Sequence, residues 1–151
     1  MNTSTLSMRS QMEHHMVTVR DIMSDSVRTI HPDISVCDLE EIFVTHKISG
    51  GPVIDNTGSL VGFVSKSDVT RFDSMGEDPN YTRVSEIASP IVIKISPDTS
   101  IEAAAQTMVE KQVHHLVVIE EDELIGIVSS LDFVKYVAAN GAGKHALSVQ
   151  Y

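Results

Sequence analysis

The strongest constraint on this chain is an internal duplication. Displaced by 65 residues, the segment opening VRDIMSDSV falls on VSEIASPIV, and the register pairs Val19/Val84, Ile22/Ile87, Val27/Val92, Ile30/Ile95, Pro32/Pro97, Asp33/Asp98, Ser35/Ser100, Val53/Val118 and Ile54/Ile119. After one residue is dropped in a turn, an offset of 64 aligns LVGFVSKSDV with LIGIVSSLDF and pairs Gly62/Gly126, Ser65/Ser129 and Asp68/Asp132. Chance produces such matches over a few residues, not in order through two whole units. The chain must therefore fold as two similar supersecondary units that bury apolar faces together.

Each unit reads alike. A β-rich run, Arg28 to Ile30 or Val92 to Ile95, ends at Pro-Asp, which stops a strand and opens a turn. A helix follows, its apolar stripe made by Val36, Leu39, Ile42 and Phe43 in the first unit and by Ile101, Ala104, Ala105 and Met108 in the second. Ser35 is the expected cap of the first helix, and Thr99 with Glu102 has the capping-box pattern for the second. Pro52 to Asp55 and Leu116 to Glu120 read as buried strands. The turns Asn56-Thr57-Gly58 and Glu121-Asp122 lead into Leu60 to Val64 and Leu124 to Val128, so these strands form hairpins. A short helix starts after Ser65 or Ser129. The fold class is α+β, with two tandem βαββα repeats.

The boundaries follow from the same pattern. An N-terminal extension covers 1–16, the first repeat 17–72, a Gly-, Pro- and acid-containing linker 73–81, the second repeat 82–136 and a C-terminal tail 137–151. Leu6, Met8, Met12 and Met16 recur near helical spacing, so the extension is read either as mobile or as an interface helix. With 151 residues there is room for one domain or two very small ones, not for two independent enzymes. No apolar run approaches the ~20 residues of a membrane span, and the start lacks a signal-peptide pattern. A cytoplasmic location and no membrane partner are expected. The single Cys37 excludes an internal disulfide framework and agrees with a reducing compartment. A net charge of −10, from 21 acidic and 11 basic residues, argues against nucleic acid as a partner.

The order of motifs, with Ile22-Met23, Pro32, a helix, Ile48-Ser49-Gly50, Pro52-Val53-Ile54-Asp55, Gly58, Leu60-Val61-Gly62 and Val64-Ser65 ending at Asp68, resembles a cystathionine-β-synthase (CBS) domain. Its double occurrence, from about Val17 to Tyr136, resembles the CBS pair called a Bateman module. The resemblance implies repeats packed through their sheets with pseudo-twofold symmetry around two clefts, frequent further pairing into a homodimer, and adenosine-containing ligands in the clefts. It also implies the contacts. One cleft would combine Ser129, Leu131 and Asp132 with Val27, Ile48 and Ser49 flanking an adenine, and His115 near phosphates. The second would combine Ser65, Ser67 and Asp68 with Val92, Val113 and His114. Gly50 and Gly51 stand where the second repeat has His115 and Leu116, so the Asp68 cleft lacks a basic residue, and the Asp132 cleft is the preferred site.

The residues themselves admit a plainer reading. Serine followed three positions on by aspartate is a capping box that satisfies the orphan amides of a helix start. The two readings coexist, because a helix start also favours an anion and a carboxylate accepts ribose hydroxyls. His114 and His115, adjacent in an extended segment, point to different sides and are poor chelators of one metal; structural hydrogen bonds and phosphate contact are the alternatives. His14-His15 reads as solvent-exposed. Gly143-Lys144 is not a phosphate loop, since Ala138 replaces the required glycine and His145 the required Ser or Thr. Cys37 has no aligned base and is no nucleophile.

These features predict a regulatory, non-enzymatic module that binds an adenine nucleotide (AMP, ADP or ATP) or S-adenosylmethionine, requires no cofactor or metal, and acts in trans on a protein partner. The alternative is a dimerisation or protein-interaction module with vestigial clefts.

Overall fold

In the computed structural model of the chain, residues 16–141 are described. The proposed N-terminal interface helix, His14-His15 and Gly143-Lys144 lie outside them; Met16 is exposed. The chain divides into two compact units, one comprising Asp25–Lys94 and the other the described residues up to Ser24 together with those from Ile95 onward. Each unit thus takes a short flanking segment from beyond its own repeat.

In the Asp25–Lys94 unit, α2 (Val36–His46), β1 (Gly50–Ile54), β2 (Leu60–Ser65), α3 (Lys66–Asp73) and α4 (Val84–Ile87) follow in order, numbered after α1 (Val19–Ile22), which belongs to the other unit. Ser35 caps α2, its hydroxyl accepting from the Asp38 amide at 3.0 Å. The apolar stripe then turns inward: Leu39 and Phe43 join Ile30, Val53, Val64, Val69 and Val84 in one buried cluster, with Ile42 and Ile48 packed against it. β1 and β2 pair antiparallel, with Gly50 opposite Ser65 and a bulge at Val53/Ile54. The β1 strand starts at Gly50, two residues earlier than the apolar run indicates, because the ladder continues until Ser65 turns into α3. Gly58 closes the hairpin with φ +84°, a conformation in which a Cβ is strained. The Arg28 to Ile30 run does not become a strand: Ile30 alone makes a parallel bridge to Val53.

In the other unit, α1 precedes α5 (Ile101–Lys111), β4 (His115–Glu120), β5 (Glu123–Ser129), α6 (Ser130–Tyr136) and a π-helical turn (Val137–Gly141), while the two-residue strand β3 (Lys94–Ile95) stands at the boundary of the two units. The three strands form a sheet in the order β3-β4-β5. Glu121 and Asp122 both take positive φ, 51° and 64°, as the tight two-residue hairpin requires. Val19, Ala104, Met108, Leu116, Val117, Val118 and Val128 are buried. The helix cap differs from expectation. Ser100, not Thr99, caps α5, accepting from the Ala103 amide at 3.1 Å, because Thr99 is still in the turn that follows Pro97-Asp98 and its carbonyl accepts from Val19.

The short helices α1 and α4 follow the same plan in both units. Val19 N–H donates to Thr99 O, Arg20 N–H to Pro97 O and Ile101 N–H to Val17 O, at 2.9, 3.0 and 3.2 Å. The equivalent bonds are Val84 to Ile34, Ser85 to Pro32 and Val36 to Thr82, at 2.9, 2.9 and 2.8 Å. Beyond each short helix the chain meets the hairpin in an isolated bridge, Ser24 to Ile127 or Ser89 to Phe63. The linker also folds back on α2, with Cys37 N–H donating to Pro79 O at 3.0 Å. Arg20 adds side-chain ion pairs to Glu120 and, at 3.7 Å, to Asp98.

Candidate functional site

Two aspartates emerge at equivalent places, each where the second hairpin strand ends in a helix. In one unit β5 ends at Ser129, which caps α6. Asp132 Oδ2 accepts from the Ser129 amide at 2.7 Å and from its hydroxyl at 3.1 Å. In the other unit β2 ends at Ser65, which caps α3, and Asp68 Oδ2 accepts from the Ser65 amide at 2.8 Å and its hydroxyl at 3.1 Å. The capping boxes read from sequence are therefore present, and both aspartates are half-buried. A carboxylate oxygen has two lone pairs, so the serine fills Oδ2 and directs the remaining acceptor capacity to Oδ1.

The segment before the first hairpin strand braces each helix start. Ser130 N–H donates to His114 O and Lys66 N–H to Ser49 O, both at 2.9 Å. His115 lies opposite Ser129 in the β4/β5 register, as Gly50 lies opposite Ser65. One unit therefore brings together Val113, His114, His115, Ser129, Leu131 and Asp132; His114 and Leu131 are exposed, while Val113 and His115 are half-buried. The other contains Val27, Ile48, Ser49, Ser65, Ser67, Asp68 and Val92, with Ser49 and Ser67 exposed and Val27, Ile48 and Val92 half-buried.

The two aspartates differ in one side chain that the sequence reading passed over. Arg71 Nη1 lies 3.2 Å from Asp68 Oδ1. Lys135 stands at the matching position of the second repeat, and Asp132 Oδ1 has no hydrogen-bond or ion-pair partner among the described residues. Three-residue spacing of Asp and Arg on a helix is the signal that marks such a pair.

Perturbed carboxyls lie elsewhere. Burial, reinforced by Asp73, pushes the Glu40 carboxyl up. Hydrogen bonds from Thr57 and Ser59 hold Asp55 below its ordinary range, in the β1-β2 turn. Among the described residues no three His, Cys, Asp or Glu side chains are grouped to hold a metal, and no helix is long and apolar enough to cross a membrane. Cys37 is exposed.

Comparison with known proteins gives a consistent answer. The model of the family described as the CBS domain matches residues 19–74 and again 84–139. The chain is 28% identical over 127 residues to the uncharacterized protein MJ1225 of Methanocaldococcus jannaschii, covering 84% of this chain and 45% of that one. It is 28% identical over 134 residues to the CBS domain-containing protein YhcV of Bacillus subtilis, covering 88% and 94%. It thus spans less than half of the first relative and nearly all of the second. Among solved structures, the CBS domain pair of protein MJ0100 in complex with 5′-methylthioadenosine and S-adenosyl-L-methionine superposes with a TM-score of 0.74 at 26% identity, covering 82% of this chain and 98% of that one.

Proposed function

Since this chain belongs to the CBS-domain family as a tandem pair, a regulatory and non-catalytic unit, we propose that it senses an adenosyl compound, either an adenine nucleotide or S-adenosylmethionine. The observation that carries the reading is the pair of Ser-anchored aspartates. In each, one oxygen is fixed by the preceding serine, and at Asp132 the other has no partner among the described residues. A carboxylate held in this way is an acceptor for the two vicinal hydroxyls of a ribose. That the related MJ0100 pair binds 5′-methylthioadenosine and S-adenosyl-L-methionine supports the ligand class. In this reading the ligand contacts are the two residue groups that the family resemblance implies, with the Asp132 group preferred, and the output passes to a protein partner or through homodimerisation.

The test is a set of thermal unfolding curves with AMP, ADP, ATP and S-adenosylmethionine, for the parent protein and Asp132→Ala. A ligand present at a hundred times its dissociation constant stabilises the fold that binds it by about 2.7 kcal/mol. The parent should show a ligand-dependent rise in Tm that is clearly smaller in Asp132→Ala, where only the Asp68 group remains to bind. Equal stabilisation of both proteins refutes the site. No response to any of the four ligands, with a concentration-dependent dimer, would instead favour an interaction module without a nucleotide ligand.

A further inference from the structure

We propose that Arg71 is an internal competitor for the Asp68 carboxylate and sets the two ligand sites apart. The inference rests on the adenosyl reading and adds a residue that controls it. A vicinal diol offers two O–H donors, and each carboxylate oxygen has two lone pairs. At Asp132 the serine fills Oδ2, and among the described residues nothing occupies the two acceptor positions of Oδ1, which are left for the two hydroxyls. At Asp68 the serine fills Oδ2 in the same way, but the Arg71 guanidinium takes one position on Oδ1 at 3.2 Å. A ribose at Asp68 must therefore forgo one hydrogen bond or displace Arg71.

Displacement is the easier course. The Arg71 side chain is 67% exposed against 12% for Asp68, so the guanidinium returns to water when it leaves. Arg71 thus weakens the Asp68 site without closing it. An exposed ion pair of this kind translates into about a twofold to fivefold difference in affinity. The site with Lys135 fills first, and the site with Arg71 fills at higher ligand concentration.

The experiment is calorimetric titration with adenosine, whose lack of charge removes direct attraction to Arg71, and with 2′,3′-dideoxyadenosine, which lacks both hydroxyls. Titrating Asp132→Ala and the double variant Asp132→Ala/Arg71→Gln isolates the Asp68 site. The double variant should bind adenosine about threefold tighter, while dideoxyadenosine should not distinguish the two proteins. The converse uses Asp68→Ala with and without Lys135→Arg, where the transplanted arginine should weaken adenosine binding by a similar factor. Unchanged or weaker adenosine binding after Arg71→Gln overturns the competitor role. An equal gain with dideoxyadenosine also overturns it, because the effect would then not pass through the hydroxyls. If the parent protein binds none of adenosine, AMP, ADP, ATP and S-adenosylmethionine, the adenosyl reading itself fails and this inference with it.

Discussion

Replacing Gly62 by alanine tests how tightly the α4 segment is held against its hairpin. A Cβ built at Gly62 falls 2.6 Å from the Ser89 carbonyl oxygen, and that oxygen is backbone. To restore ordinary contact the strands must separate by roughly 0.8 Å, which carries the two Phe63–Ser89 backbone hydrogen bonds, both 2.9 Å, out of range. Losing two such bonds costs about 2 kcal/mol, and displacing the packed segment adds about 1 kcal/mol or more. The reduced entropy of the unfolded alanine chain returns about 0.5 kcal/mol. The expected destabilisation is about 2–3 kcal/mol, measured by urea unfolding followed by circular dichroism. Gly126→Ala supplies the contrast. Its Cβ meets Met23 Sδ at 2.5 Å, which a flexible side chain can relieve, and the Ser24 carbonyl at 3.0 Å, which needs only a small shift. Gly126→Ala should cost about 1 kcal/mol, less when combined with Met23→Ala than the two single losses together. A Gly62→Ala protein within about 0.5 kcal/mol of the parent, or no less stable than Gly126→Ala, refutes the reasoning.

Other expectations are more local. Ser100→Ala should lower stability by about 1 kcal/mol through loss of the α5 cap, and Thr99→Ala by clearly less; equal losses would return the cap to Thr99. Lys47 ends α2 in the left-handed region at φ 52°, so Lys47→Gly should raise the free energy of unfolding, measured in urea, by about 0.5–1 kcal/mol, and a decrease would show that this conformation is not the one populated. The Glu40 carboxyl, held above its ordinary value of 4.5 by burial and by Asp73, binds its proton more tightly folded than unfolded. Its favourable contribution is therefore complete below pH 4.5 and is lost as pH rises through the raised value. Glu40→Gln should stabilise the protein at neutral pH and have little effect in acid; a stabilisation independent of pH would point to another cause.

Much of the fold was legible because its signals are local or repeated. The α2 and α5 stripes, the Glu121-Asp122 turn and both Ser-x-x-Asp boxes each lie within a few residues of chain, and the duplication reads every signal twice. What was not legible depends on contacts distant in sequence. α1 and α4 have only four residues each, too few to show helical periodicity, and they hold their place through backbone bonds to Thr99, Pro97, Ile34 and Pro32. Val84 completes the cluster around Leu39 and Phe43 although a linker separates it from them. The Gly62/Gly126 pair was visible as a match, but its reason was not, since the carbonyl that excludes a side chain belongs to Ser89 or Ser24. The α5 cap slipped by one position because Thr99 and Ser100 both carry hydroxyls, and only the turn geometry separates them. At the candidate site the two aspartates stood out through repetition, whereas Arg71 did not, because the second repeat has lysine there.

That last contrast locates where the two halves can differ in function. Their backbones repeat the same hydrogen bonds at nearly the same lengths: 2.9 Å for both Val19 and Val84, and 2.9 Å for both Ser130 and Lys66. The serine-to-aspartate distances agree to within 0.1 Å. A difference in ligand preference cannot then come from the frame and must come from side chains mounted on it. Besides Ser67 against Leu131, three differences bear on the carboxylate and its brace: Ser49 against His114, Gly50 against His115, and Arg71 against Lys135. The first two change what surrounds the brace before each helix, and the imidazoles add ring nitrogens able to hydrogen-bond a ligand. The third changes the acceptor itself, because it alone touches the carboxylate. Exchanging Arg71 and Lys135 should therefore alter how a ribose is held at each site, whereas exchanging the Ser49-Gly50 and His114-His115 pairs should alter the response to a ligand's charged groups and leave the hydroxyl contribution where it was.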